Sequence, residues 1–113
     1  MALQELLFEF KVEHPTPIKK EWVHSGVVGS GDLEVLMEKE DLKGSVQVKV
    51  VTPVNGFQPV WTKVLERFIN QKQLGDVKIE INDNNATPIV VALRLSQTFA
   101  EANKVEEEVS QRV

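Results

Sequence analysis

The chain has 113 residues, a net charge of −4, 42% hydrophobic and 27% charged side chains, and no cysteine. That length fits one domain spanning residues 1–113, and the composition is that of an ordinary soluble globular protein. The negative balance speaks against binding nucleic acid or an anionic membrane surface, since both need clustered cations. The missing cysteines remove disulfides, thiolate metal sites and cysteine nucleophiles.

The longest unbroken apolar run is Ile89-Val90-Val91-Ala92-Leu93, too short to cross a bilayer. The opening Met-Ala-Leu-Gln-Glu lacks the basic start of a signal peptide. The expectation is a cytoplasmic protein.

In chain order, residues 6–12 end in apolar/polar alternation and predict a first strand. His14-Pro15-Thr16-Pro17 breaks it, because closely spaced prolines favour an extended linker or turn. Residues 21–28, with Trp22, predict a second strand. In residues 32–38, Leu33, Val35 and Met37 alternate with Glu34, Leu36 and Glu38 and predict a third. Residues 40–44 are a turn. Residues 45–51 alternate cleanly and predict a fourth strand, half exposed.

After a loop at Pro53-Val54-Asn55-Gly56-Phe57, residues 58–73 predict a helix. Val60, Trp61, Val64, Leu65, Phe68 and Ile69 recur at helical spacing on one broad face, and Gly75 is the expected stop. Residues 77–81 predict a fifth strand and Asn82-Asp83-Asn84-Asn85 a polar turn. Thr87 as cap and Pro88 in the first turn open a second helix, with Val91, Leu95, Thr98, Ala102, Val105 and Val109 on one face. The Glu-rich tail beyond Asn103 is expected to fray. There is no internal repeat or domain linker. The order predicts an α+β domain: a mainly antiparallel sheet of four to five strands with two helices on one face. Strand order is left open.

Few residues suggest chemistry. Gly29-Ser30-Gly31-Asp32 reads first as a tight hairpin, where glycine supplies positive φ. It is not a phosphate-binding loop, lacking GxxxxGK[ST] and a following helix. It is not a nucleophile elbow, because the glycines adjoin the serine. A hairpin tip would still leave Ser30 exposed with little bulk around it, as a modifying enzyme requires.

His14 and His24 have no partner at metal or triad spacing and read as surface or edge residues. Asp83 admits an acid or cation role, but its surroundings do not match a calcium loop and favour a turn. Trp61 reads as core. No catalytic residues and no metal site are expected, which favours a subunit or carrier over a free-standing enzyme.

The stretch VGSGDLEVL, residues 28–36, resembles the acyl carrier subunit, the δ chain, of biotin-independent bacterial malonate decarboxylase. TPVNGFQPVWTKVLERF (residues 52–68) resembles that family's loop and first helix. IEINDNNATPIVVALRL (residues 79–95) resembles its strand, turn and last helix, although Asn84, Asn85 and Ile89 depart from the pattern. The resemblance implies that Ser30 carries 2′-(5″-phosphoribosyl)-3′-dephospho-coenzyme A through a covalent phosphodiester, with Gly29 and Gly31 forming the loop that presents it. Ser25 is the competing serine, outside the motif.

In that family the thiol of the group is acetylated, acetyl is exchanged for malonyl, and the malonyl thioester is decarboxylated. Sister transferase and decarboxylase subunits perform these steps, and a separate transferase attaches the group. The zero cysteine count fits, since the thiol then comes from the attached arm alone. The carrier chain of citrate lyase and an unmodified binding or regulatory domain are the alternatives. Strand alternation also puts Asp32 and Glu34 on one face beside Ser30, an acidic patch that partners could recognise.

Overall fold

A computed structural model gives the architecture, and it describes residues 3–104. Seven elements follow in order: β1 (Gln4–Lys11), β2 (Trp22–Gly26), β3 (Asp32–Lys39), β4 (Ser45–Thr52), α1 (Gln58–Lys72), β5 (Val77–Asn84) and α2 (Pro88–Ala102). The strands form one sheet in the order β1-β4-β5-β3-β2. The α+β expectation holds, with one refinement. The sheet is mixed, because β4 and β5 pair in parallel while the other three pairings are antiparallel. Parallel neighbours need a crossover rather than a hairpin, and α1 is that crossover.

Strand alternation divides the sheet into two faces. Val46, Val48 and Val50 of β4, Val77, Ile79 and Ile81 of β5, and Leu33, Val35 and Met37 of β3 are all buried on one of them. Trp61, Leu65, Phe68 and Ile69 of α1 and Val91, Leu95 and Ala102 of α2 complete the core. Within this layer α2 lies over β3 and β2, and α1 reaches β1. The other face is open and largely polar. There Lys49 approaches Glu5 and Lys78 approaches Glu80, in partly exposed ion pairs. No helix among the described residues is long and apolar enough to cross a membrane.

Several local expectations change. The first helix is closed by Gln73, not Gly75: Gln73 takes the left-handed conformation at φ 48°, and its backbone N–H bonds back to Asn70. Gly75 serves close approach, since a Cβ there would fall 2.3 Å from Pro15 Cβ. The proline segment is tied down by a bridge between Thr16 and Leu74.

The supposed polar turn is mostly strand, for β5 continues through Asn84 and only Asn85 is left-handed, at φ 65°. Turn-forming residues are held extended here because other elements satisfy their side chains. Asn82 donates to Glu34 at 2.8 Å. The buried Asp83 accepts from the Thr52 hydroxyl at 2.8 Å and from the Ala86 N–H at 3.0 Å. The second helix starts as expected, with the Thr87 hydroxyl accepting from Val90 N–H. Val105, Val109 and the Glu-rich tail lie outside the described residues.

Candidate functional site

The connection that holds Ser30 is wider than a tight hairpin. The last β2 residue, Gly26, pairs with Glu34, so residues 27–33 lie between the paired positions. Asp32 and Leu33 meanwhile pair with Asn84 and Asp83 of β5. The tip is a four-residue turn closed by Asp32 N–H donating to the Gly29 carbonyl at 3.0 Å. Gly31, at φ 74°, supplies the positive angle at its third position. One positive φ, at that position, is the pattern of a type II turn, which favours glycine there. Gly29 has no positive φ and contributes its carbonyl instead. The turn is pinned to the sheet by Gly31 N–H donating to the Asn84 carbonyl at 2.8 Å.

Ser30 is exposed at this tip, and no hydrogen bond among the described residues uses its hydroxyl. The space beside it is open, for a Cβ at Gly31 would meet nothing within 4 Å. Two other serines are engaged. The Ser25 hydroxyl bonds the Thr98 hydroxyl of α2, and the buried Ser45 hydroxyl donates to the Leu42 carbonyl at 2.8 Å. Val27 and Val28, just before the turn, are 63% and 52% exposed, and Leu93 of α2 is 65% exposed. An open cleft of ≈ 440 Å³ runs between Ser30, Gly31 and Asp32 on one side and Val90, Leu93, Arg94 and Gln97 on the other.

Asp32 and Glu34 share strand parity as expected, but they engage different elements. Asp32 takes Arg94 Nη2 with both oxygens, at 2.9 and 2.7 Å, and accepts Leu33 N–H at 2.7 Å. The Arg94 guanidinium, then the Leu33 N–H, hold its carboxyl below the usual range. Glu34 meets His24 Nε2 at 3.0 Å and Asn82 Nδ2 at 2.8 Å, and these two contacts lower its carboxyl in turn. The two carboxylates are therefore individually paired beside Ser30 rather than bare. His24 is a neighbour of Glu34 on the sheet, while His14 is exposed in the proline segment.

The sequence reading missed Arg94, Gln97 and Gly26. Arg94 also donates from Nη1 to Gln97 Oε1 at 2.7 Å. Gly26, at φ 87°, makes room for it: a Cβ there would fall 2.9 Å from Arg94 Nε and 2.2 Å from the Leu33 carbonyl oxygen. One signal did exist, since Arg94 is the charge that interrupts the apolar run of residues 89–95.

Residues 20–102 match the family model described as malonate decarboxylase delta subunit (MdcD). This chain belongs to the malonate decarboxylase delta subunit family. It is 56% identical over 108 residues to a malonate decarboxylase acyl carrier protein of Malonomonas rubra, covering 96% of each chain. It is 43% identical over 98 residues to that of Acinetobacter calcoaceticus, covering 87% of this chain and 95% of the relative. Its fold is similar to a chain in the crystal structure of a Pseudomonas malonate decarboxylase hetero-tetramer in complex with malonate. That match has a TM-score of 0.78 and 38% identity, covering 88% of this chain and 98% of the other. The GSGDLE turn, residues 29–34, lies inside the part of this delta-family chain that the model matches.

Proposed function

We propose that this chain is the acyl carrier subunit of a cytoplasmic malonate decarboxylase and that Ser30 is its attachment residue. The group attached is 2′-(5″-phosphoribosyl)-3′-dephospho-coenzyme A, joined to the serine oxygen through a phosphodiester. The observation that carries this reading is the placement of Ser30 at an exposed turn, with no hydrogen bond to its hydroxyl among the described residues, inside the family match.

The surroundings fit such a group. Gly29 and Gly31 leave the approach to the hydroxyl open, the cleft beside it offers apolar surface at Val90 and Leu93, and Arg94 supplies a cation. When bound, the group supplies a thiol on which acyl units are held as thioesters. With no cysteine in the chain, no other thiol competes for them.

The chain's own residues bind and present; they make and break no bonds in malonate. Sister transferase and decarboxylase subunits carry out the chemistry, and a dedicated transferase installs the group from a phosphoanhydride-activated precursor, the Ser30 oxygen attacking its phosphorus and displacing the anhydride leaving group. The hetero-tetramer that contains the similar chain supports work inside a multi-subunit assembly. Tethering then raises the acyl concentration at each partner site to about the millimolar range when the reach is right.

The functional test is reconstitution with Ser30→Ala. An exposed, unbonded serine contributes little to folding, so stability stays within about 0.5 kcal/mol of wild type. Malonate turnover by the assembled complex is lost. Turnover by a complex holding the folded variant would remove Ser30 from the role.

A further inference from the structure

A phosphodiester at Ser30 would bring an electrostatic problem with it. A diester keeps one negative charge at neutral pH, and Asp32, two residues on, is already ionised. The whole chain carries −4. Without a nearby cation, the modified turn would hold two like charges side by side in the cleft. Among the described residues lining that cleft, Arg94 is the one cationic side chain.

We propose that Arg94 is the phosphate partner of the group carried on Ser30, held in place by Asp32 and Gln97. This rests on Ser30 being the attachment residue.

A guanidinium carries five N–H donors. Nη2 serves the two Asp32 oxygens and Nη1 gives one bond to Gln97. The second N–H of Nη1 is uncommitted, and the buried Nε has no acceptor among the described residues. Nη1 therefore has donor capacity left for a further anionic acceptor in the cleft. Arginine suits the task because its planar fork can hold a carboxylate and a phosphate together, which a lysine point charge does less well. Asp32 and Gln97 fix the fork so that little rotamer freedom remains to be lost when the phosphate arrives. Arg94 acts here as a positioning residue: it sets where the first atoms of the arm leave the turn and touches no acyl group.

The test compares the ¹⁵N-labelled full chain before and after modification, the modified form being made by co-expression with its transferase. On modification, the Arg94 Nε–Hε resonance is expected to shift, while that of Arg67, on α1 and outside the cleft, stays put. The ³¹P resonance of the diester is expected to move further in Arg94→Lys and Arg94→Gln than in Asp32→Asn, which loosens the guanidinium but leaves it in the cleft. A purely structural salt bridge predicts the opposite grouping, with Asp32→Asn and Arg94→Gln alike. An Arg94 resonance unchanged between the two forms overturns the inference, and this readout needs no variant to fold. An adduct on Ser30 with an unmoved Arg94 refutes the phosphate contact alone. Lack of any adduct on wild-type Ser30 refutes the attachment assignment and the inference with it.

Discussion

Arg94 Nη2 lies 2.7 and 2.9 Å from the two carboxylate oxygens of Asp32, linking the middle of α2 to the turn that presents Ser30. The partners are 62 positions apart in the chain. The bond crosses from the helical layer to the start of β3, so the turn is tied both to its own sheet and to a helix.

This tie gives stability a direction with pH. The carboxyls of Asp32, Glu34 and Asp76 are all lowered in the folded chain. A lowered group prefers the ionised folded state, so its stabilisation is complete above its unfolded value, about 3.9 for Asp and 4.3 for Glu. The stabilisation is lost as pH falls through the still lower folded values. Denaturant unfolding at stepped pH is expected to show stability flat from pH 7 to about 5 and falling below about 4. The fall is expected to be shallower in Asp32→Asn. An Asp32→Asn variant with the wild-type acid profile would show that the pair contributes nothing to folding.

The two positive-φ glycines near Ser30 separate conformation from crowding. Gly31 and Gly26 both have positive φ, at 74° and 87°. A Cβ meets nothing at Gly31 but falls 2.2 Å from the Leu33 carbonyl oxygen at Gly26. Gly31→Ala is therefore expected to cost only the left-handed penalty, about 1–2 kcal/mol, and Gly26→Ala distinctly more, with the Arg94 contact disturbed as well. Chemical denaturation of both variants decides the point, and equal losses would contradict the geometry.

Asp83 offers a contrast in role. It is buried, and its removal leaves the Thr52 hydroxyl and the Ala86 N–H without their acceptor. Asp83→Ala is expected to destabilise by about 1–3 kcal/mol for each group left unpaired. In the folded fraction, Ser30 should be modified at the wild-type rate. A variant of unchanged stability that is no longer modified would instead give Asp83 a functional part.

The sheet was legible in the sequence because its strands keep a strict two-residue period. Leu33, Val35 and Met37 advertise a buried face without reference to any neighbour. What was hidden depends on partners distant in the chain. Asn82-Asp83-Asn84 reads as a turn by propensity, yet Glu34, Thr52 and Ala86 supply bonds that keep it in β5. Gly75 looked like a helix stop, but Pro15 packs against it and Gln73 adopts the left-handed cap. Ser30 drew attention through the GSGDLE resemblance, whereas Arg94 belongs to a helix whose sequence says nothing about a turn in another layer. Asp32 and Glu34 keep the expected strand parity, but Asp32 engages Arg94 of α2 while Glu34 bonds His24 and Asn82 on the sheet, partners distant in the chain.

Recognition by the installing transferase is testable through salt. We propose that Asp32 contributes to it, with Glu34 a lesser part. Contacts between exposed charges weaken as the Debye length shrinks from about 10 Å at 0.1 M to about 3 Å at 1 M. The modification rate of wild type is expected to fall across that range. Asp32→Asn should be slower than Glu34→Gln in low salt, and all three should converge in high salt. Equal rates for the three proteins in low salt would remove both carboxylates from recognition.

The attachment site itself is tested most directly by mass. The full chain is co-expressed with its transferase, its intact mass is measured, and a digest maps the adduct. The expected result is one phosphoribosyl-dephospho-coenzyme A group per chain, on the peptide containing Ser30, and none on Ser30→Ala. An adduct on Ser25 or Ser45, or a Ser30→Ala chain that still gains the full mass, would contradict the account.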